Sequence, residues 1–209
     1  MEKITNQLVV SKLNGVGQIM LDNQNISSLD RQINSTNVFS NNRLGLTESL
    51  EGGQSLTLGF DYDLLKKNDQ TVFSSSIAQI FKDKNDTNLP LSTKMQNKSS
   101  DIVGQISFTP NDNIEFNYDY SADNNLDTVN YNFLQTKLNI NNFVTSFEFL
   151  EEDNYLNENS YIKNTTKFNF DNNNSIGFGT SKNLDKNITN YYNLIYEYEN
   201  DCLTAAIEY

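Results

Sequence analysis

The 209-residue sequence contains no histidine, no tryptophan, one cysteine and two prolines. Without histidine there is no Ser-His-Asp triad, no Cys-His pair and no histidine ligand for a metal. One cysteine cannot form an internal disulfide framework. The 27 acidic residues outnumber the 15 basic ones, and the net charge of −12 argues against nucleic acid, which binds clusters of lysine and arginine. These absences predict a protein that is not an enzyme and uses no metal or cofactor.

Long apolar runs are missing as well. Residues Met1 to Gln7 lack the apolar stretch of a signal peptide. No segment approaches the ~18–20 apolar residues of a membrane helix. A chain that crosses a membrane with β-strands escapes this test, because each strand gives a much weaker signal. In that case we expect the leader to belong to an N-terminal part of a longer protein that this chain lacks.

Apolar and polar residues alternate through most of the sequence, which is typical of β-strands with one apolar face. The pattern predicts about ten strands, at 56–64, 73–81, 102–108, 114–120, 129–140, 143–150, 161–170, 175–182, 188–198 and 203–209. Segment 1–41 has only short apolar patches among polar residues. We expect it to be an irregular N-terminal segment, part strand and part loop.

Turns rich in asparagine and aspartate separate these strands. Short turns, as at 110–113 and 171–174, alternate with longer polar connections, as at 83–99 and 151–159. This alternation is typical of an antiparallel up-and-down meander, and particularly of an outer-membrane barrel. The predicted fold class is therefore all-β, with the strands forming part of a transmembrane β-barrel.

Strand length and aromatic positions favour a membrane over water. The predicted strands are closer to the ~9–11 residues that cross a bilayer than to the ~5–6 of soluble sheets. Aromatic residues recur toward strand ends, as in the girdle of a barrel. They are Tyr62, Phe81, Phe108, Tyr118, Tyr120, Phe170, Tyr196 and Tyr198. A soluble sheet with one wet face also alternates, so a soluble extracellular β-sandwich is an alternative.

One stretch is distinctive. Residues 42–54 read Asn-Arg-Leu-Gly-Leu-Thr-Glu-Ser-Leu-Glu-Gly-Gly-Gln and lead into the first predicted strand. From the residues alone, we expect a sharp turn at Gly52-Gly53 and an ion pair between Arg43 and Glu51 in a polar lumen. The stretch resembles the Asn-Arg-Phe … Asp-Arg-(Ile/Val)-Glu-Gly-Gly segment in the C-terminal barrel domain of LptD, the family of outer-membrane lipopolysaccharide-assembly proteins.

The likeness continues to the end of the chain, over 42–209. Residues 76–79 resemble the family's Gly-Gln strand, and 99–104 its Ser-Asp-(Ile/Leu)-Val-Gly strand entry. Residues 200–203 resemble its Asp-Cys-(Cys/Leu) element before the final strand. The positions that match the family's motifs are Arg43, Glu51, Gly52, Gly53, Gln79, Asp101, Gly104, Asp201 and Cys202.

The chain departs from the family's pattern at several positions. Ser49 and Ser55 stand where the family usually or often has arginine, which removes the polar contacts those arginines make. Cys202 is single, whereas some relatives have two adjacent cysteines. The resemblance implies a disulfide between this cysteine and a periplasmic N-terminal domain that this chain lacks. The residues themselves favour a structural or disulfide role, because no histidine activates the thiol and neighbouring acidic residues disfavour the thiolate.

The resemblance implies a barrel in the cell outer membrane that inserts lipopolysaccharide into the outer leaflet. The implied partners are lipopolysaccharide, an LptE-like lipoprotein that plugs the lumen, and periplasmic bridge proteins. A final strand that ends in Tyr209 looks like the terminal strand that the barrel-assembly machinery recognises. The alternative within the membrane class is a complete small porin-like or autotransporter-like barrel, which needs pairing of its first and last strands.

Two polar clusters have a second interpretation. Residues 151–153 could bind Ca²⁺ through three carboxylates, although a predicted loop favours a solvated charge run. Residues 171–175 have part of a calcium-loop spacing but lack the glycine and the glutamate of that loop. A hairpin turn is the favoured interpretation there.

Overall fold

The computed structural model describes residues 8–20, 32–40, 43, 53–87, 89, 91–154 and 157–209. Eleven strands run through this part of the chain: β1 (Leu8–Met20), β2 (Ser55–Lys66), β3 (Thr71–Lys82), β4 (Ile102–Asn111), β5 (Ile114–Ala122), β6 (Val129–Ile140), β7 (Phe143–Asn154), β8 (Asn157–Asn169), β9 (Asn174–Asn183), β10 (Ile188–Asn200) and β11 (Leu203–Glu208). A 3₁₀ turn (Leu91–Thr93) lies between β3 and β4. Within the described residues, no helix has the length and apolar character of a membrane span.

All eleven strands form one sheet in sequence order, and each pairs antiparallel with its neighbours. The prediction of an all-β antiparallel meander is therefore confirmed, with every predicted strand present. The additional strand, β1, lies in segment 1–41 and pairs with β2 from Leu8 to Met20. In the described residues β1 and β11 are the two edges, and the sheet does not close on itself. The predicted division at residue 41 stays a prediction.

The connections alternate between two ends of the sheet. At the turn end, β2–β3, β4–β5, β6–β7, β8–β9 and β10–β11 are joined by two to four residues. At the loop end, β3 and β4 are joined by the long connection 83–101, of which the structure describes all but residues 88 and 90. Asn141, in the β6–β7 turn, has φ of 52°, a left-handed conformation that asparagine tolerates better than most residues.

One predicted connection is wrong. The sequence analysis placed a polar loop at 151–159, whereas β7 and β8 stay paired up to Asn154 and Asn157. The strands continue because ladder hydrogen bonds require only the backbone, so charged side chains are accepted wherever they face water. The same pairing puts the side chains of Glu151 and Glu152 on opposite faces of the sheet. The proposed calcium cluster is therefore not formed by these two neighbours.

The two faces of the sheet differ in chemistry. On β2, Leu58 and Phe60 are 44% and 57% exposed, whereas the alternate residues Ser55 and Thr57 are buried. We call the face of Leu58 the outer face and the face of Thr57 the inner face. Seven of the eight aromatic residues predicted near strand ends share the outer face, as the register shows from β2 to β10. The eighth, Phe170, follows β8 and contacts the outward-facing ring of Phe168.

Polar residues on the outer face lie where an apolar environment costs them little free energy. Charged residues such as Lys66, Glu151 and Lys182 lie near strand ends. Near the turn end of β7 and β8, a polar triplet bonds internally: the hydroxyl oxygens of Thr145 and Thr166 are 2.8 Å apart, and Asn164 donates to Thr145 at 3.1 Å. Paired polar groups avoid most of the cost of an apolar environment.

The apolar band on the outer face runs obliquely across the sheet. Leu64 marks the turn-end border of the band on β2. Its cross-strand partners, followed from one strand to the next, end at Tyr192 on β10, which marks the loop-end border of the band there. With ~4.8 Å between strands and ~3.3 Å per residue, the strands tilt by about 30° from the normal of the band. The band is then ~23 Å tall, from Leu56 to Leu64 on β2. Both values are near those of outer-membrane barrels, ~35–45° and ~25 Å.

The outer face provides a direct test of this geometry. Leu138 faces outward in the middle of the band, and its neighbour Asn139 faces inward. We expect Leu138→Arg to destabilise the folded protein in micelles by about 2–4 kcal/mol, because arginine on the lipid side of a barrel must leave water. Asn139→Arg is the matched control and should cost less than about 1 kcal/mol. Urea unfolding midpoints measure both, and equal losses would contradict the assignment of the faces.

Candidate functional site

A small apolar core lies on the inner face, at the loop end of β2 to β5. It joins residues from the 32–40 segment, the β3–β4 connection and the strands beneath. Its members are Ile33, Val38, Ala78, Ile80, Leu89, Met95 and Val103, with Phe39 packed against them. We call residues 32–40, Arg43 and the described residues of 83–101 the inner plug. The plug explains why Ala78, Ile80 and Val103 are apolar on the inner face of β3 and β4.

Gly59 makes room for the plug on β2. A Cβ atom at this position would lie 2.7 Å from Cζ of Phe39 and 2.9 Å from the carbonyl oxygen of Ile77. No side chain fits there, since real Cβ atoms do not approach heavy atoms that closely. Glycine inside a strand often marks such a close approach. The Phe39 ring therefore sits in a notch that only glycine leaves open.

Arg43 fastens the plug to the inner face of β2. Its side chain is buried, and its guanidinium donates hydrogen bonds to Oγ1 of Thr57 at 2.7 Å and to Oγ of Ser55 at 3.4 Å. The predicted partner, Glu51, lies outside the described residues. The described partners are hydroxyl groups, and one of them, Ser55, stands where the family often has arginine. A buried guanidinium needs several acceptors, which gives this contact its specificity.

A second fastening reaches across the sheet. Ser35 donates from Oγ to Oδ1 of Asp119 on β5 at 3.0 Å, a contact between residues 84 positions apart. Asn34 and Asn37 stabilise the plug locally, because the Asn34 side chain accepts from the backbone of Thr36 at 3.0 Å and Asn37 donates to the carbonyl of Gln32 at 3.0 Å. The plug is therefore held at both β2 and β5.

Asp101, just before β4, is the polar centre of the plug. Its Oδ2 atom accepts from Nδ2 of Asn130 at 2.6 Å and from Oγ of Ser121 at 3.3 Å. The neighbouring Ser100 accepts from the backbone N–H of Ile80 at 3.0 Å. Burial raises the pKa of the Asp101 carboxyl above its ordinary value, with the hydrogen bonds and the charge of Lys94 opposing that effect. Asp101 thereby joins the β3–β4 connection to β5 and β6.

Gln79 and Gly104 lie near Asp101 but face outward. The Gln79 amide donates to the carbonyl of Ser100 at 3.0 Å and to Oδ1 of Asn124 at 2.7 Å, linking two loop-end connections. The Tyr120 ring covers Gly104, and a Cβ there would collide with the tyrosine hydroxyl. An aromatic residue over a glycine of the adjacent strand protects its backbone.

The remaining motif residues fall into two groups. Gly53 has φ of +83°, as expected for a turn before β2, whereas Gly52 and Glu51 lie outside the described residues. Asp201 and Cys202 form the β10–β11 turn, at the opposite end of the sheet, and Cys202 is an exposed free thiol. The structure therefore places Arg43 and Asp101 in the plug, with Gly53, Gln79 and Gly104 nearby at the loop end of β2 to β4. Asp201 and Cys202 lie at the opposite end of the sheet.

The predicted hairpin at 171–174 is present between β8 and β9. The backbone N–H groups of Asn173 and Asn174 each donate to Oδ1 of Asp171 at 2.8 Å. Hydrogen bonds to the carboxylate lower the pKa of the Asp171 carboxyl, and the bond from the Asn173 backbone has the largest effect. Among the described residues, no group of three or more histidine, cysteine, aspartate or glutamate side chains is arranged to hold a metal ion.

The inner face of β6 to β10 carries paired charges beside apolar residues such as Phe133 and Leu150. Lys167 contacts Glu197 at 2.9 Å, and Lys163 contacts Glu148 at 3.8 Å. The sequence pattern did not predict the pairing of these four residues, nor the contacts of Ser35, Phe39 and Gly59 in the plug. Two signals in the sequence could have indicated them. Alternation puts Lys163 and Lys167 on one face of their strand, and Gly59 interrupts a strong strand pattern.

Removal of Arg43 should loosen the plug. We expect Arg43→Ala to cost about 1.5–3 kcal/mol of plug docking, because charge-assisted hydrogen bonds are lost. This corresponds to a rise of tenfold or more in the maleimide labelling rate of a Val38→Cys reporter, in a Cys202→Ser background. Arg43→Lys should give an intermediate rate, because an ammonium cannot reproduce the fork of donors. An unchanged rate in Arg43→Ala, with heat-modifiable mobility retained, would show that Arg43 does not fasten the plug.

Asp101 should make stability depend on pH. Because its pKa is raised in the folded state, its favourable contribution is present at low pH and lost as the pH rises through the folded pKa. As the pH rises from 4 to 8, we expect the urea unfolding midpoint of Asp101→Asn to increase relative to that of the natural protein. Asp101→Ala should be less stable than Asp101→Asn throughout, by about 1–3 kcal/mol, since Asn130 and Ser121 lose their acceptor. A constant difference between Asp101→Asn and the natural protein would contradict the burial effect.

Comparison with known proteins supplies the family. The model of the LptD family, described as LPS transport system D, matches residues 18–187. The match begins inside β1 and covers the plug, and it ends before β10, so the resemblance of Asp201 and Cys202 stays a prediction. A search of the curated proteins finds no match. LptD proteins are transport and assembly proteins of the outer membrane, not an enzyme family. Since the match covers most of the chain, the chain belongs to the LptD family.

Proposed function

We propose that this chain forms part of the wall of an outer-membrane barrel that moves lipopolysaccharide into the outer leaflet, and that it has no enzymatic activity. The observation that carries the proposal is the two-faced sheet. Its outer face has an apolar band with the height and slope of a barrel in a bilayer, and its inner face has paired charges and hydroxyl groups. Membership of the LptD family supports lipopolysaccharide as the cargo.

A complete small porin-like barrel is less well supported. In the described residues β1 and β11 lie at opposite edges of the sheet. In a meander of eleven strands the first and last also run in the same direction, whereas outer-membrane barrels of bacteria close with antiparallel pairs. We propose that other strands of an LptD-like barrel lie beside these edges.

A soluble β-sandwich is also less well supported. A sandwich packs the apolar faces of two sheets against each other. Here the described strands form one sheet, and its larger apolar face, including Phe60 and Leu194, is exposed. An apolar face of this extent suits lipid better than water.

The partners and the motif residues follow from the same proposal. An LptE-like lipoprotein, periplasmic bridge proteins and the barrel-assembly machinery are the expected partners. The short turns of outer-membrane barrels face the periplasm, so the turn that contains Asp201 and Cys202 would face that compartment. There the exposed Cys202 thiol would be available for a disulfide to an N-terminal domain. The motif residues Arg43, Glu51, Gly52, Gly53, Gln79, Asp101 and Gly104 would serve plug docking and strand entry.

Depletion of the natural protein in its own Gram-negative host tests the function. We expect newly made lipopolysaccharide to stop reaching the cell surface, as measured by its accessibility to an externally added modifying enzyme. Sensitivity to detergents and large antibiotics should rise at the same time. Re-expression of the natural protein should restore both, and re-expression of the Leu138→Arg variant should not. Normal surface lipopolysaccharide with loss of small-solute uptake would favour the porin-like alternative.

A further inference from the structure

Four side chains form a polar ledge on the outer face of β5 to β7. Tyr118 and Tyr120 lie on β5, Asn132 on β6 and Glu151 on β7. Tyr120, Asn132 and Glu151 are direct cross-strand partners in one row, and Tyr118 is the next outward residue on β5. We call these four residues the outer ledge.

The outer ledge lies at the loop-end border of the apolar band. The row of cross-strand partners from Leu64 to Tyr192 crosses the band at an even slope, and on β6 it contains Thr136, midway between the two borders. Asn132 lies four residues nearer to the loop end, which is half the length of the band on β2. Asn132 therefore marks the loop-end border on β6, at the height where lipid headgroups begin.

The two tyrosine rings form a platform against the sheet. Their centroids are 5.7 Å apart, and their planes differ by 23°. The end of the Tyr120 ring lies directly over Gly104 of β4, where any Cβ atom would collide with it. The ring therefore lies along the sheet and presents one face outward, instead of projecting into the lipid. Tyrosine rings in this position suit a flat ligand that has an apolar face and a polar edge.

Hydrogen bonds connect the polar groups of the outer ledge. Tyr118 donates from Oη to Oδ1 of Asn132 at 2.5 Å, and Nδ2 of Asn132 donates to Oε2 of Glu151 at 3.2 Å. An amide nitrogen carries two hydrogens and a carboxylate has two oxygens, so these bonds use only part of the capacity of each residue. Among the described residues, the second N–H of Asn132 and Oε1 of Glu151 remain available to a ligand.

These groups suit a sugar better than a phosphate. The Glu151 carboxylate accepts hydrogen bonds from hydroxyl groups but repels an anion. The Asn132 amide both donates and accepts, as sugar hydroxyls do. Leu134 and Phe149 are cross-strand partners directly below the ledge, toward the middle of the apolar band. A ligand with a sugar headgroup and acyl chains would therefore meet polar groups at the ledge and apolar side chains beneath it.

We propose that the outer ledge binds the sugar headgroup of a glycolipid in the outer leaflet, and that this glycolipid is newly inserted lipopolysaccharide. The proposal rests on the proposed function, in which the short turns face the periplasm, the loop end faces the cell exterior and lipopolysaccharide enters the outer leaflet. It goes beyond that function by assigning a site for the inserted lipid on the lipid-facing side of the wall. It also gives Gly104 a role, which is to seat the Tyr120 ring.

Photo-crosslinking of the full natural protein in nanodiscs tests the site. The nanodiscs contain phosphatidylglycerol and lipopolysaccharide that lacks its O-chain. A benzophenone amino acid replaces Phe149, directly below the ledge, or Leu56, at the loop-end border on β2. We expect the yield of lipopolysaccharide crosslinks to be about fivefold higher at 149 than at 56, because the ledge holds the headgroup with several hydrogen bonds. Phosphatidylglycerol should crosslink equally at the two positions.

Removal of the polar groups should abolish this difference. In the Asn132→Leu, Glu151→Leu double variant we expect the lipopolysaccharide yield at 149 to fall about fivefold, to the level at 56. The matched control is Asn139→Leu, Glu148→Leu, which changes the same residue types on the inner face of the same strands and should leave the yield unchanged. Tyr118→Phe removes only the hydroxyl that orients Asn132, and should lower the yield about twofold even if the double variant does not fold.

The outcomes separate the site from the proposed function. Equal lipopolysaccharide yields at 149 and 56, or an excess of phosphatidylglycerol at 149, would overturn the site. Loss of the excess on addition of EDTA would also overturn it, because a divalent cation would then join Glu151 to a phosphate in place of a direct sugar contact. The nanodiscs supply the lipid without transport. Normal surface lipopolysaccharide after depletion of the protein would therefore overturn the function, whereas the excess at 149 would still be measured.

Discussion

The structure depends on one constraint: in lipid, every backbone N–H and C=O must find a partner inside the protein. An antiparallel meander meets this constraint strand by strand, and the ladders here run without interruption from β1 to β11 apart from local bulges. The side chains follow the same requirement, since the polar triplet around Asn164 bonds internally on the outer face. In the described part of the sheet, β1 and β11 are the two edges, and each has one side without a neighbouring strand.

Once the outer face is assigned to lipid, the inner face has two different tasks. Near β2 to β5 it must seat a plug, and this requires apolar residues such as Ile80, a notch at Gly59 and acceptors for Arg43. Near β6 to β10 it faces water, and its charges balance in pairs such as Lys167 and Glu197. A uniform polar lining would not seat the plug. The asymmetry between the two parts is therefore a property of the fold itself.

Much of the fold could be predicted from the sequence, because strand alternation and hairpin turns are local signals. The turn at Asp171 and the conformation of Gly53 follow from a few adjacent residues. The plug could not be predicted in this way, because Ser35 and Asp119 are 84 positions apart and no local pattern relates them. The loop proposed at 151–159 was wrong for a related reason: a run of charged residues suggested solvent, but the ladder between β7 and β8 continues through it.

The motif residues acquire a physical meaning from this asymmetry. Arg43, Gln79 and Asp101 each bond to a different connection or strand, and together they tie the plug to β2, β5 and β6. Their contacts serve placement, because a buried guanidinium or carboxylate has only one arrangement that satisfies it. A transport and assembly protein needs such placement more than it needs reactive groups, because the plug must stay seated on one part of the inner face.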